Sequence, residues 1–337
     1  MEWFKFPDKR FAVNGLAWFE EEKPSLRRLP RRLKKGFRQP VWDLAQIPAG
    51  GRIRFKTDSL HVGIKAKCPD NLVMNHITRI GQSGFDIYVD DMFMGSISPD
   101  EKGAVKAEWH IAENRAMREI TINMPLYQTV KINYIGLDEA TLIEPPAPFA
   151  VDKPIVFYGS SITQGGCAST PGTTYQSFIS RWLNVDFINL GFSGNGMGEL
   201  ELARAINEID ASCIVLDYWA NIKLGWEENL PVFTEELRRI HKTTPIVVVS
   251  PFYFCAENTG ETISAKQRKA ARAFVRTMNC LGDKNIYLFN ALKGISADNA
   301  FGLVDGVHCN SLGFYFMAKA MTPCLRRILF TELSLRP

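Results

Sequence analysis

The sequence predicts an α/β protein in two regions: an antiparallel β-sandwich, then a parallel sheet covered on both faces by helices. Three observations carry this expectation. Residues 1 to about 145 hold short runs of period-two alternation, the residues after 154 alternate apolar runs with helical patterns, and a proline-rich stretch separates the two.

The first region is read from Gly51–Lys56, Leu60–Lys65, Phe85–Val89 and Glu119–Asn123, each bounded by Gly, Pro, Asp or Asn. Glu144-Pro-Pro-Ala-Pro-Phe-Ala-Val-Asp-Lys-Pro154 then reads as a stiff, extended connector. The expected domains are therefore 1–150, an accessory sandwich, and 151–337, the domain of the parallel sheet. In the second region, strands are expected at Ile155–Tyr158, Val185–Leu190, Ile214–Asp217, Ile246–Ser250 and Ile286–Phe289. Helical patterns lie between and after them, at Thr174–Leu183, Leu200–Ile209, Pro231–His241, Ser264–Leu281 and Ser311–Phe330.

The most informative stretch is Pro154-Ile-Val-Phe-Tyr-Gly-Ser-Ser-Ile-Thr-Gln-Gly165, a buried strand that stops at a glycine and delivers two serines. A hydroxyl at the carboxyl end of a parallel strand lies where α/β folds place their ligands, beside the positive end of the following helix. Ser161 is the candidate nucleophile. A serine needs a base and an orienting acid, and histidine is scarce: of the five, only His241 and His308 follow Ser161. His241 ends an amphipathic helical pattern and reads as a helix cap. His308 lies in Val304-Asp-Gly-Val-His-Cys-Asn310, where Asp305, three residues earlier, can fold back onto the imidazole.

Acyl transfer also needs donors for the oxyanion. Val185-Asp-Phe-Ile-Asn-Leu-Gly-Phe-Ser-Gly-Asn-Gly196 ends a second strand in a glycine-rich turn, where Gly194 can offer an unobstructed N–H. Cys213-Ile-Val-Leu-Asp-Tyr-Trp-Ala-Asn221 ends a third strand at an asparagine able to donate from its amide. Ser161, Gly194 and Asn221 thus follow three successive strands.

In that order, with His308 and Asp305, these residues resemble the SGNH, or GDSL-type, hydrolases over about residues 154–330. The match is similar to the branch with an N-terminal Gly-x-Asp-Leu-Tyr domain, here Gly84-Phe-Asp-Ile-Tyr88. The resemblance implies a three-layer flavodoxin-like sheet, the SGNH hydrolase fold, behind a jelly-roll-like sandwich. It implies a Ser161–His308–Asp305 triad and an oxyanion hole of the Ser161 and Gly194 N–H groups and the Asn221 side chain. Two departures stand out: Ser160 where many relatives carry aspartate, and Tyr218-Trp-Ala-Asn-Ile222 where many read Gly-x-Asn-Asp. The missing second acid removes one tie for the Asn221 loop. Trp219 either lines the substrate pocket or packs beneath that loop. The aromatic loop Pro251–Asn258 either closes over a small acyl group or packs in the core.

Rival readings weigh less. Gly194-Asn-Gly-Met-Gly198 approaches a dinucleotide fingerprint, yet its spacing is incomplete and it follows the wrong strand of the unit. The seven cysteines form no Cys-x-x-Cys pair, which argues against a disulfide framework or a zinc site, and Cys167 and Cys309 read as apolar filler rather than nucleophiles. The basic run Arg27–Arg38 reads as a solvated face offset by Glu20–Glu22. Trp3, Trp18, Trp42 and Trp109 read as core residues, with sugar stacking the alternative. A net charge of +4 gives no reason to invoke nucleic acid or a membrane surface. The start lacks a secretory pattern and no apolar run spans a bilayer, so a cytoplasmic protein is expected.

The expected activity is hydrolysis of short-acyl carboxylic esters through an acyl-enzyme. O-acetyl groups on carbohydrates are the expected substrates, in a small-molecule or oligosaccharide ester, with no metal or other cofactor. The alternatives are an acyltransferase with the same triad and a non-catalytic sugar-binding protein on this scaffold. The sequence leaves the oligomeric state open.

Overall fold

The computed structural model describes residues 1–69 and 73–330; residues 331–337 of the expected catalytic domain lie outside them. Five parallel strands form the central sheet of the second region. In space they run Val185–Gly191, Val151–Gly159, Cys213–Asp217, Ile246–Val249 and Ile286–Phe289. Numbered along the chain that order is 2-1-3-4-5, the flavodoxin-like arrangement expected. Its strands read as continuous apolar runs because both faces are covered: Val215, Leu216, Val247 and Val248 are fully buried.

The covering helices are Tyr175–Leu183, Leu200–Ile206, Trp226–Arg238, Ile263–Cys280 and Ser311–Phe330. The third of these starts five residues before Pro231, where the helical pattern was expected to begin. Trp226 is fully buried with its ring against Tyr218, and that packing carries the helix across the proline despite the lost hydrogen bond.

The first region is two antiparallel sheets. One orders Glu2–Lys5, Lys131–Leu137, His61–Lys67 and Ala104–His110. The other orders Ile143–Glu144, Arg52–Thr57, Arg118–Asn123, Phe85–Val89 and Met92–Ile97, with Ala12–Asn14 paired to Arg52–Thr57. The inward residues of both, among them Phe4, Phe55, Val62, Ile64, Ile87, Ile120 and Ile135, make one apolar core. Alternation turns their neighbours to the opposite faces, the pattern visible in the sequence, and on Phe85–Val89 those neighbours, Asp86 and Tyr88, are buried as well.

A second, larger core lies around the parallel sheet, and it recruits Trp18, Leu29, Val41, Trp42, Leu126 and Tyr127 from the first region. The two regions are therefore packed through side chains and not merely tethered. The proline-rich stretch is correspondingly tied down rather than a free spacer. Ala147 N–H donates to Glu119, Ala150 N–H donates to Asn184 O, Arg54 stacks on Phe149, and Val151 already belongs to the sheet.

The basic run departs most from expectation. Arg28 is 1% exposed. Its guanidinium donates to the carbonyls of Ile47, Leu44, Asn189 and Gly191 and lies 4.7 Å from the Phe192 ring centroid. Carbonyl acceptors on several sides replace the water it loses, and even with its pKa pushed down to about 9 by burial it stays charged at neutral pH. Arg28 thus clasps the first region to the end of the strand that leads to Gly194. Along the same run Arg27 pairs with Glu22 in a largely buried contact, while the more exposed Arg32 and Arg38 pair with Glu208 and Glu199.

Candidate functional site

The strand Val151–Gly159 ends at the point where the sheet order reverses, the crevice in which such folds hold ligands. Ser160 caps the next turn, its hydroxyl accepting from Ile162 N–H at 3.3 Å, so that Ser161 becomes the first helical residue. That helix, Ser161–Gln164, is a single turn closed by Gly165. So short an element has little macrodipole, and what it offers is its leading N–H, which has no partner within the helix. The turn is held from both regions: Tyr127 Oη donates to Ser161 O at 3.2 Å, and Gln164 Nε2 donates to Leu126 O at 3.0 Å.

Ser161 Oγ lies 2.9 Å from His308 Nε2, and His308 Nδ1 lies 2.8 Å from Asp305 Oδ2. Asp305 Oδ1 also accepts the N–H groups of Val307 and His308, at 3.1 and 2.8 Å. One carboxylate therefore shapes the turn and orients the imidazole, as the three-residue spacing suggested. These donors hold Asp305 down at about 2 against the opposing effect of its partial burial, so it is ionised at neutral pH. With Asp305 accepting a hydrogen bond from Nδ1–H, Nε2 turns its lone pair toward the Ser161 hydroxyl.

Gly194 adopts φ +67°, a left-handed conformation that favours glycine, and its N–H has no protein acceptor among the described residues. Asn221 is half-buried, and its Oδ1 accepts Gly196 N–H at 3.0 Å. That bond fixes the sense of the amide and leaves Nδ2 as a donor with no protein acceptor among the described residues.

Trp219, the candidate substrate contact, does not line the site. It is 1% exposed, donates to Asp217 Oδ1 at 2.9 Å and packs on Phe252 and Phe254 at centroid distances of 5.3 and 5.1 Å. It props the Asn221 loop from below because its large apolar ring meets an aromatic cluster there. Gln267 supplies a further tie, donating to the carbonyls of Trp219 and Ile222, in place of the second acid that the sequence lacks. Phe252 and Tyr253 are likewise buried, so that much of the aromatic loop is core.

His241 stands apart, buried against Thr244 and Ile206 O. The Cys309 thiol turns away from the site toward Met317. Burial, reinforced by Asp305, pushes the Cys167 thiol up to about 12, which removes it as a neutral-pH nucleophile.

Two features escaped the sequence reading. Asp217, at the end of the third strand, is buried and accepts from Thr163 Oγ1, Tyr175 Oη and Trp219 Nε1, tying the Ser161 turn to the Asn221 loop. A lone acid ending an apolar run was its only signal. The other feature is the clamp made by Gly84-Phe-Asp-Ile-Tyr88. Asp86 accepts from Gly172 N–H and Asn123 Nδ2, both at 2.6 Å, while Tyr88 Oη donates to Gly172 O. Gly172 is gripped so closely that an added Cβ would lie 2.4 Å from the Tyr88 ring. The adjoining Thr173 and Ser169 both bond Ser311 Oγ, at the start of the helix that follows the His308 loop. The first region thereby braces both the nucleophile turn and the base loop.

Fold and crevice define the class of this protein, an SGNH-type acylhydrolase carrying an N-terminal antiparallel β region. The chain belongs to the GDSL-like lipase/acylhydrolase family, whose model matches residues 152–326, while the model for the N-terminus of SGNH-hydrolase-type esterases matches residues 1–143. Among solved structures it is similar to a Bacteroides ovatus protein described as a GDSL-like lipase, at 30% identity and TM-score 0.87, covering 97% of this chain and 98% of that one. The salicylyl-acyltransferase SsfX3 of a tetracycline biosynthetic pathway shares the fold at 18% identity and TM-score 0.79, over 100% and 98% of the two chains. A family two carbohydrate esterase from Clostridium thermocellum, solved with cellohexaose, does so at 14% identity and TM-score 0.64, over 86% and 94%. No curated protein matches the chain.

Proposed function

We propose that the protein is a serine esterase that removes short acyl groups, above all O-acetyl groups from carbohydrates. The observation that carries this reading is the unbroken path from Asp305 through His308 to Ser161, at 2.8 and 2.9 Å. His308 takes the Ser161 proton as Oγ attacks the ester carbonyl, and Asp305 holds the resulting imidazolium. The Ser161 and Gly194 N–H groups and Asn221 Nδ2 receive the oxyanion. As the tetrahedral adduct collapses, His308 returns its proton to the departing alcohol. Water, deprotonated by the same imidazole, then attacks the acyl-enzyme, releasing the acid and restoring the Ser161 hydroxyl. These steps need no metal or other cofactor.

A short acyl group agrees with the aromatic filling beneath Asn221, where Trp219, Phe252 and Phe254 take up the space a long tail would need. A carbohydrate ester agrees with the shared fold of the family two carbohydrate esterases. The likeness in fold to a salicylyl-acyltransferase along the whole chain favours, as a second reading, transfer of the acyl group to an alcohol through the same triad. A cytoplasmic location belongs to this proposal and is supported by seven cysteines that are all free.

The test is acetate release from a chromogenic acetate ester and a panel of acetylated oligosaccharides, by wild type and Ser161→Ala side by side. Release by wild type alone is expected. Release that falls when an alcohol acceptor is added, with the acylated acceptor formed, would replace hydrolysis by transfer. Equal release by both proteins would refute Ser161 as nucleophile. Oligosaccharide binding without turnover, unchanged in Ser161→Ala, would replace catalysis by binding.

A further inference from the structure

His76 comes from the first region, in the loop before the helix Arg79–Ser83, and is exposed. Its ring lies 5.6 Å from that of His308, centroid to centroid. Cys167 adjoins both: one ligand atom from each of His76, Cys167 and His308 lies within 4.8 Å of the other two. Among the described residues no other group of three His, Cys, Asp or Glu side chains is gathered in this way.

We propose that His76, Cys167 and His308 form an inhibitory site for a soft divalent transition metal, Zn²⁺ in the first place. Two imidazole nitrogens and one sulfur are a donor set that suits Zn²⁺, and three protein ligands leave the fourth tetrahedral position to water. The Nδ1 of His308 is committed to Asp305, so Nε2 is the nitrogen it can offer. A carboxylate behind a ligating imidazole is also the usual support of a metal-bound histidine. Zinc bond lengths place tetrahedral N and S ligands about 3.3–3.8 Å apart. From within the 4.8 Å limit the ligand atoms must close by at most about 1 to 1.5 Å to reach those spacings, a change of the size that side-chain rotation supplies, with the exposed His76 the freest of the three.

Cys167 has φ +71°, a left-handed conformation uncommon for a non-glycine residue. On coordination the thiol proton passes to solvent and the sulfur binds as thiolate, with no other bond made or broken.

The consequence follows from a single lone pair. His308 Nε2 can accept the Ser161 proton or bind the metal, but not both, so metal binding and ester hydrolysis exclude one another. Because His76 belongs to the first region and the other two ligands to the second, the metal would also bridge the regions and raise thermal stability.

The inhibition expected here rests on the proposed serine mechanism, whereas metal binding does not, and the two are measured separately. Co²⁺ is titrated into the full chain, as wild type, Ser161→Ala, His76→Ala and Cys167→Ala, and followed by absorption. Zn²⁺ is titrated against hydrolysis of a chromogenic acetate ester, with reversal by a chelator. The expected result is one Co²⁺ per chain with a thiolate charge-transfer band in wild type and Ser161→Ala, and no such band in Cys167→Ala. Zn²⁺ should inhibit wild type reversibly. In His76→Ala, active without metal, the inhibiting concentration should rise by more than the roughly 10–100-fold that follows loss of an outer-shell partner.

A wild type without the thiolate band, or equal Zn²⁺ inhibition of wild type, His76→Ala and Cys167→Ala, would overturn the proposal. If wild type hydrolyses no ester, the mechanism fails while the band in Ser161→Ala still decides the metal site. His76 is exposed, so its variant carries the test even if Cys167→Ala does not fold.

Discussion

Replacing Asn221 separates the two ends of one amide. Its Oδ1 accepts Gly196 N–H at 3.0 Å, a structural bond, while Nδ2 is free for the oxyanion. Asn221→Asp keeps an acceptor for Gly196 but sets a negative charge where the oxyanion must form; Asn221→Ala removes both. Loss of one oxyanion donor should lower kcat by about 100- to 1,000-fold, with little change in KM because the bond strengthens only as charge develops. Loss of the Gly196 bond should cost about 0.5–1.5 kcal/mol, a melting shift of a few degrees at most in a chain of this size. The expected outcome is a lowered Tm and kcat for Asn221→Ala, and for Asn221→Asp a near wild-type Tm with a kcat at least as low. Steady-state kinetics on a chromogenic acetate ester and thermal melts of the three proteins test this. Near wild-type kcat in Asn221→Asp, or a loss in Asn221→Ala confined to KM, would refute the reasoning.

Three further outcomes are expected. Asp305→Asn should lower kcat by about 10⁴-fold, less than the roughly 10⁶-fold from Ser161→Ala, since Asp305 orients rather than attacks; equal losses in the two would contradict the assignment. Gly172→Ala should destabilise the protein by about 1–3 kcal/mol, because the new methyl group meets the Tyr88 ring, and an unchanged melting curve would show that the clamp relaxes freely. Burial pushes Asp217 up to about 7, well above the usual carboxylate range. Between the unfolded and folded pKa values the native state binds a proton that the unfolded chain lacks, so this group's contribution to stability falls as pH rises. The Tm of wild type minus that of Asp217→Asn should therefore decrease from about pH 4 to 7 and level off above; a rise over that range would reverse the reading.

The sequence by itself determined whatever depends on near neighbours in the chain. Period-two and helical patterns report which face of an element meets a core, and so the five parallel strands, their covering helices and the two antiparallel sheets were legible. The turn that exposes Ser161 follows from a glycine ending an apolar run, and the Asp305–His308 contact spans only one loop. Tertiary structure alone decided the contacts between distant positions. Nothing local tells that Arg28 is enclosed by carbonyls from Asn189 and Gly191, so a basic run read as solvated contains a buried clasp. The free end of the Asn221 amide depends on Gly196 in another loop, and the burial of Trp219 depends on Phe252 and Phe254 from the next strand's end. The grip of Asp86 on Gly172 and the approach of His76 to His308 join the two regions. Such contacts depend on how finished elements pack, and periodicity records which side of each element is buried without recording what it is buried against.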